Sequence, residues 1–139
     1  MNLKKDWLRI SDMACDYTNY AMADDEIAAE SKKKELVAAL KVARLRHGEV
    51  PFLLETLADY TSNISEKLVL LDQAFRLNIA VFDYNEALSC ANSALRAVIE
   101  NKLVTQIEFW RSKVGEFSLV ADDPDEVLEA KKLLSGNLW

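Results

Sequence analysis

A chain of 139 residues that is half hydrophobic has the core content of one compact domain, and its three Gly and two Pro supply too little turn chemistry for many short strands, so an all-α fold is expected. The formal charge of −6 is unevenly spread: residues 1–50 hold nine basic and nine acidic side chains, whereas residues 51–139 hold eight and fourteen. That balance disfavours nucleic acid and anionic membranes as partners and admits a protein with a basic surface.

Cys15 and Cys90 form no Cys-x-x-Cys pair and lie in helical-looking stretches, which fits two small core residues in a reducing compartment. No stretch approaches eighteen uncharged residues, so no signal peptide or membrane span is expected, and the expected location is cytoplasmic.

The first helix is predicted from Leu3 to Ala21, where Leu3, Trp7, Ile10, Ala14, Tyr17 and Ala21 recur at steps of three and four. Asp24, Asp25 and Glu26 open a second helix whose apolar stripe reads Ile27, Leu36, Ala39, Leu40, Ala43 and Leu45 and which stops at Gly48. Pro51 suits the first turn of a third, with Phe52, Leu53, Leu57 and Tyr60 facing the core. Asn63 and Glu66 resemble a capping pair for a fourth helix, Ser65 to about Val81. Asp83 and Glu86 repeat that logic for a fifth, striped by Ala87, Leu88, Ala91, Leu95 and Val98.

No Gly or Pro separates Asp83 from Lys113, while Leu103, Ile107, Trp110 and Val114 continue the stripe. One long helix and a hairpin broken near Asn101 therefore both fit. The last helix starts with Asp123 as cap and Pro124 in its first turn, and ends at Gly136. The expected organisation is a single helical domain over 1–139, an antiparallel bundle or short array of stacked hairpins with about six helices. Residues 1–22 form an N-terminal capping helix, 24–134 the hairpins and 135–139 an apolar tail.

One phrase recurs at about thirty-four residues: Lys34-Glu35-Leu36-Val37, Glu66-Lys67-Leu68-Val69 and Asn101-Lys102-Leu103-Val104 lead to Gly48-Glu49-Val50, Phe82-Asp83-Tyr84 and Gly115-Glu116-Phe117, with Arg44, Arg76 and Arg111 between. The segment Asp83-Tyr84-Asn85-Glu86-Ala87-Leu88, continued by Ala94-Leu95, resembles the turn and second helix of a tetratricopeptide repeat. The resemblance spans residues 34 to 134 and implies a partner-binding scaffold of stacked hairpins without an active site. The sequence departs from the family pattern in placing Lys41 and Phe75 where the first helix takes a small residue, in lacking the final proline, and in inserting Ala121-Asp122.

Catalytic motifs are sparse. A lone His47 excludes paired-histidine zinc and di-iron helices, and its place at a helix end suits a cation on the macrodipole. Three scattered glycines cannot build a phosphate-cradling loop. Glu26 with Glu30, and Glu55 with Asp59, share helical faces, the only pattern that would serve a carboxylate-metal enzyme, although the doubled-Glu pattern of such enzymes is missing. Asp122 to Glu126 reads as a helix start, because Pro124 stands inside it and the glycine of a calcium loop is missing. Lys32, Lys33, Lys34, Lys41, Arg44 and Arg46 make the one basic stretch, read as a solvated face.

Trp7 and Trp110 fall on apolar stripes and are assigned to the core. Trp139, beyond the last helix stop, either folds back into a hydrophobic pocket or anchors a second chain. These features together read as a small, acidic, non-catalytic protein-binding module of bacterial or phage type, an adaptor, chaperone or toxin-neutralising protein, with no cofactor and no metal. Its expected binding residues are Glu55, Asp59, Glu86, Glu116 and Trp139. The alternative is a helical protein that associates with itself along residues 83–117, and the carboxylate-metal enzyme stands third.

Overall fold

The computed structural model describes residues 2–136, and every regular element among them is an α-helix. In chain order these are α1 (Leu3–Met22), α2 (Glu26–His47), α3 (Pro51–Asp59), α4 (Ile64–Ala80), α5 (Tyr84–Glu100), α6 (Val104–Ser118) and α7 (Pro124–Leu134). The all-α hairpin architecture is the expected one. Among the described residues there are seven helices, because the run after Asp83 is two helices, broken at 101–103. The chain divides into two compact units between Thr61 and Ser62, the first built from α1–α3 and the second from α4–α7.

Short polar side chains start most of these helices by accepting a backbone N–H that has no partner within the helix. Asp25 accepts from Ala28, Asn63 from Glu66, Asp83 from Glu86 and Asp123 from Asp125, all between 3.0 and 3.2 Å. Pro51 and Pro124 occupy the first turns of α3 and α7, where their missing N–H costs nothing. Gly48 closes α2 at φ 79°, a conformation that favours glycine.

Three hairpin turns share one geometry that does not use glycine. Asp24, Phe82 and Lys102 stand in the left-handed region at φ 59°, 62° and 55°. Their N–H groups bond Ala21, Ile79 and Val98's neighbour Ile99, while the N–H groups of the following Asp25, Asp83 and Leu103 reach back to Tyr20, Asn78 and Val98 at 2.9–3.0 Å. This is the Schellman closure, in which two main-chain bonds satisfy the last carbonyls of the helix. The second donor in each turn is already the N-cap of the next helix. A chain of ordinary residues thus reverses within three positions, and the α5–α6 break needs neither Gly nor Pro.

In the first unit, Ile10 of α1 is buried, as are Ala29, Leu36, Leu40 and Ala43 of α2 and Leu53, Leu54, Leu57 and Ala58 of α3. Several expectations fail here. Ile27 and Leu45, assigned to the core face of α2, are 87% and 86% exposed. At about 100° per residue they lie on the side of α2 opposite Leu36 and Leu40, so α2 carries two apolar stripes and only one faces inward. Cys15 is exposed, not core, because it stands about 140° round α1 from the buried Ile10. Phe52 is exposed and Trp7 only half-buried; their rings meet edge to face at 4.8 Å, forming an aromatic rim to the core.

In the second unit, α5 is buried on more than one side through Ala87, Leu88, Cys90, Ala91, Asn92, Ala94, Leu95, Ala97 and Val98. Helices α4, α6 and α7 all pack on it. Phe75 of α4 meets Trp110 and Phe117 of α6 edge to face at 5.5 and 5.3 Å. A polar seam joins α5 to α7 and the turn before it: the Asn85 side-chain amide oxygen accepts from the main-chain N–H groups of Asp122 and Asp123, the Asn92 side-chain amide donates to the main-chain carbonyl of Glu126, and Arg96 pairs with Glu129. Asn92 Oδ1 is buried without a hydrogen-bond partner. The three copies of the recurring phrase occupy different settings, namely the middle of α2, the start of α4 and the α5–α6 turn.

Trp110 is 3% exposed, so Trp110→Ala should destabilise the second unit by about 3–5 kcal/mol in denaturant unfolding. An unchanged midpoint would contradict its core role. Lys102→Gly removes a side chain from a left-handed position and should instead stabilise by about 0.5–1 kcal/mol, net of the extra freedom glycine brings to the unfolded chain, raising Tm by a few degrees.

Candidate functional site

Helices α4 and α6 lie against α5, and a groove of about 410 Å³ opens between them. Leu68 and Trp110 form its floor, at 7% and 3% exposure, and Val69 and Phe109 rise as walls at 58% and 47%. Ser65 of α4 with Thr105 and Gln106 of α6 line one part of it. On α4, Asp72 and Arg76 add an ion pair one helical turn long, with Arg76 Nε 3.2 Å from the carboxylate. Lys113 stands 5.6 Å from the centre of the Phe109 ring, within cation–π range.

The groove follows from local sequence. Leu68 and Val69 are neighbours on α4, about 100° apart, so one enters the core while the other faces out; Phe109 and Trp110 repeat the arrangement on α6. Two adjacent pairs of large apolar residues thereby give the groove both floor and walls. Its polar groups can donate and accept hydrogen bonds and pair with charge, and neither His nor Cys is among its lining residues. The arrangement suits reversible capture of apolar side chains.

The residues singled out from sequence lie elsewhere. Glu55 and Asp59 are one turn apart on α3 of the first unit; Glu55 is partly buried and Asp59 exposed. Glu86 in the first turn of α5 and Glu116 near the end of α6 are exposed at the same end of that helix pair, with Glu116 Oε2 3.8 Å from Lys113 Nζ. None of the four lines the groove, and Trp139 lies outside the described residues. Glu26 and Glu30 are exposed on α2. Among the described residues, no three His, Cys, Asp or Glu side chains are grouped to hold a metal ion. No helix among them is long and apolar enough to cross a membrane.

Part of the basic stretch is engaged in ion pairs. Lys32 Nζ lies 2.8 Å from Glu35 and 3.9 Å from Asp16, and the Glu35 hydrogen bond raises its pKa. Arg44 grips Glu49 through two bonds of 2.8 and 2.9 Å, which lower the Glu49 pKa and raise that of Arg44.

One contact was invisible to helix-by-helix reading. His47 ends α2 as expected, and its Nε2 also donates to Asp6 Oδ2 at 2.7 Å, while Arg46 Nη1 stands 3.5 Å from Oδ1. The antiparallel hairpin closed at Asp24 brings the first turn of α1 to the last turn of α2, so a carboxylate there is the natural counter-ion. The His47 hydrogen bond, aided by the charges of Arg46 and His47, lowers the Asp6 pKa from 3.8 despite some desolvation.

No protein-family model, curated protein or solved structure matches the chain.

Because Asp6 holds its proton less tightly folded than unfolded, its pairing stabilises the fold fully above the ordinary value of 3.8 and fades as pH falls through the lowered folded-state value. Denaturant midpoints of the natural chain and Asp6→Asn should differ near neutral pH and converge in acid. A gap that stays constant with acidification would show that the carboxylate charge contributes nothing.

Proposed function

We propose that the chain is a non-catalytic protein-binding module whose α4–α6 groove receives the apolar ridge of a partner segment. The observation that carries this reading is the exposure of Val69 and Phe109 on either side of a groove floored by Trp110. Large apolar side chains arranged around a concavity mark interaction sites, whereas scattered ones are ordinary. The resemblance of residues 83–95 to a tetratricopeptide hairpin supports the same class of function. Residues 62–139 carry eight basic and twelve acidic side chains, which favours a partner with Lys or Arg flanking its apolar ridge. An adaptor, a chaperone and a toxin-neutralising protein all use a surface of this kind.

Selection from a displayed library of helical peptides tests the reading. Retained peptides should share an apolar ridge with basic flanks, and Phe109→Glu should weaken their binding by at least about tenfold, the loss typical of a central apolar contact, while leaving the circular-dichroism spectrum intact. Peptides that bind natural chain and variant equally would place the binding surface elsewhere.

A further inference from the structure

Large apolar side chains gather at one end of the second unit. There α4 and α6 finish and α5 and α7 begin, and the Asn85 bonds to Asp122 and Asp123 tie the loop before α7 to the first turn of α5. Val81 and Phe82 of the α4–α5 turn are 67% and 76% exposed, and Leu119 and Val120 after α6 are 86% and 56% exposed. Tyr84 and Phe117 connect the two loops: the ring centres of Phe82 and Tyr84 are 6.4 Å apart, and those of Tyr84 and Phe117 are 5.9 Å apart. Single exposed apolar residues are ordinary, whereas a patch of them rimmed by polar groups marks an interaction site.

Phe82 is also ill suited to its own backbone. It stands at φ 62°, where Gly, Asn and Asp are at home and a bulky side chain is strained. The two other turns of this kind place the polar Asp24 and Lys102 there. Most of the Phe82 ring is in water, so core packing does not offset the strain. A local rule broken without a gain in packing points to function.

We infer that this end of the second unit is a docking surface separate from the α4–α6 groove, and that its occupant is a short basic segment of a partner protein, with two large apolar side chains set between Lys or Arg residues. Charge selects that occupant. Residues 77–90 and 114–127, which build this end, hold seven acidic side chains and no Lys or Arg. Glu86, Glu116, Asp122 and Asp125 are exposed among them. Lys113 lies just outside, 3.8 Å from Glu116. Lys67, Lys102, Lys131 and Lys132 belong to the opposite end, where α4 and α6 begin and α5 and α7 finish. Phe82 and Leu119 hold the apolar anchor, while the acidic rim steers cationic flanks into place and rejects acidic rivals. The same end of a second copy, or an anionic membrane, would set negative charge against negative.

The surface shares no residue with the groove, so either assignment can fail without the other. Phe75, packed on Trp110 and Phe117, fills the space between α4 and α6 beyond the groove, and Val69 and Phe82 stand about 20 Å apart along α4. Fluorescence anisotropy of a short labelled peptide, two Leu between Arg residues, titrated with the full chain tests the assignment. The peptide should bind saturably at low salt, and should weaken at least about tenfold when its Arg residues become Glu or its Leu residues become Ser. Phe82→Asn should lower affinity by the same factor while Tm holds or rises, because asparagine accepts the left-handed conformation. Phe109→Glu, in the groove, should leave this titration unchanged. No saturable binding, equal binding by the natural chain and Phe82→Asn, or undiminished binding of the Leu-to-Ser peptide would each overturn the assignment. So would loss of binding in Phe109→Glu alone, which would seat the peptide in the groove. A free chain whose mass grows with concentration in the natural protein but not in Phe82→Asn would make a second copy the occupant and overturn it as well.

Discussion

Ala87, Ala91, Ala94 and Ala97, with Cys90, give α5 a surface small enough for α4, α6 and α7 to approach it together. Helix separation follows the side chains at the contact, and alanine permits the near end of the usual 8–10 Å. Leu88, Leu95 and Val98 fill the spaces between, so α5 is buried round most of its surface and keeps for water only the face that carries Glu86, Arg96 and Glu100. The groove is a by-product of that arrangement, since α4 and α6 are set by their packing on α5. Enlarging one of those alanines would push a neighbour outward and reshape the groove without touching its walls.

Much of this architecture was legible because helix starts are local chemistry. Asp25, Asn63, Asp83 and Asp123 accept N–H groups two or three residues away, and Pro51 and Pro124 sit where the first turn tolerates them. Helix ends were harder. Gly48 announced itself, but the Asp24, Phe82 and Lys102 turns are held by main-chain bonds that any residue can make once it accepts a left-handed conformation. The α5–α6 break was therefore ambiguous in sequence while being the same turn as the one between α4 and α5.

Burial was legible only where a helix has one apolar side. Every apolar residue expected in the α5 stripe is buried, because α4, α6 and α7 pack on the sides of α5 that carry them. On α2 the same reasoning merged two stripes into one, and Ile27 and Leu45 were assigned inward. The inner stripe holds Leu36 and Leu40 near one direction and the outer holds Ile27 and Leu45 near its opposite, a distinction carried by angle and not by hydrophobicity. The groove and the Asp6–His47 bond were out of reach for a different reason. Each joins residues from separate helices, and periodicity within one helix carries no information about which neighbour it meets.

The two cysteines differ in a way that offers a chemical clock. Cys15 lies exposed on α1 in the first unit, and Cys90 is fully buried on α5 in the second. A thiol reagent reaches the first at once and the second only when the packing around α5 opens. One alkylation time course therefore carries two readings, a fast step that counts chains and a slow step that times the breathing of the helix on which the second unit is assembled.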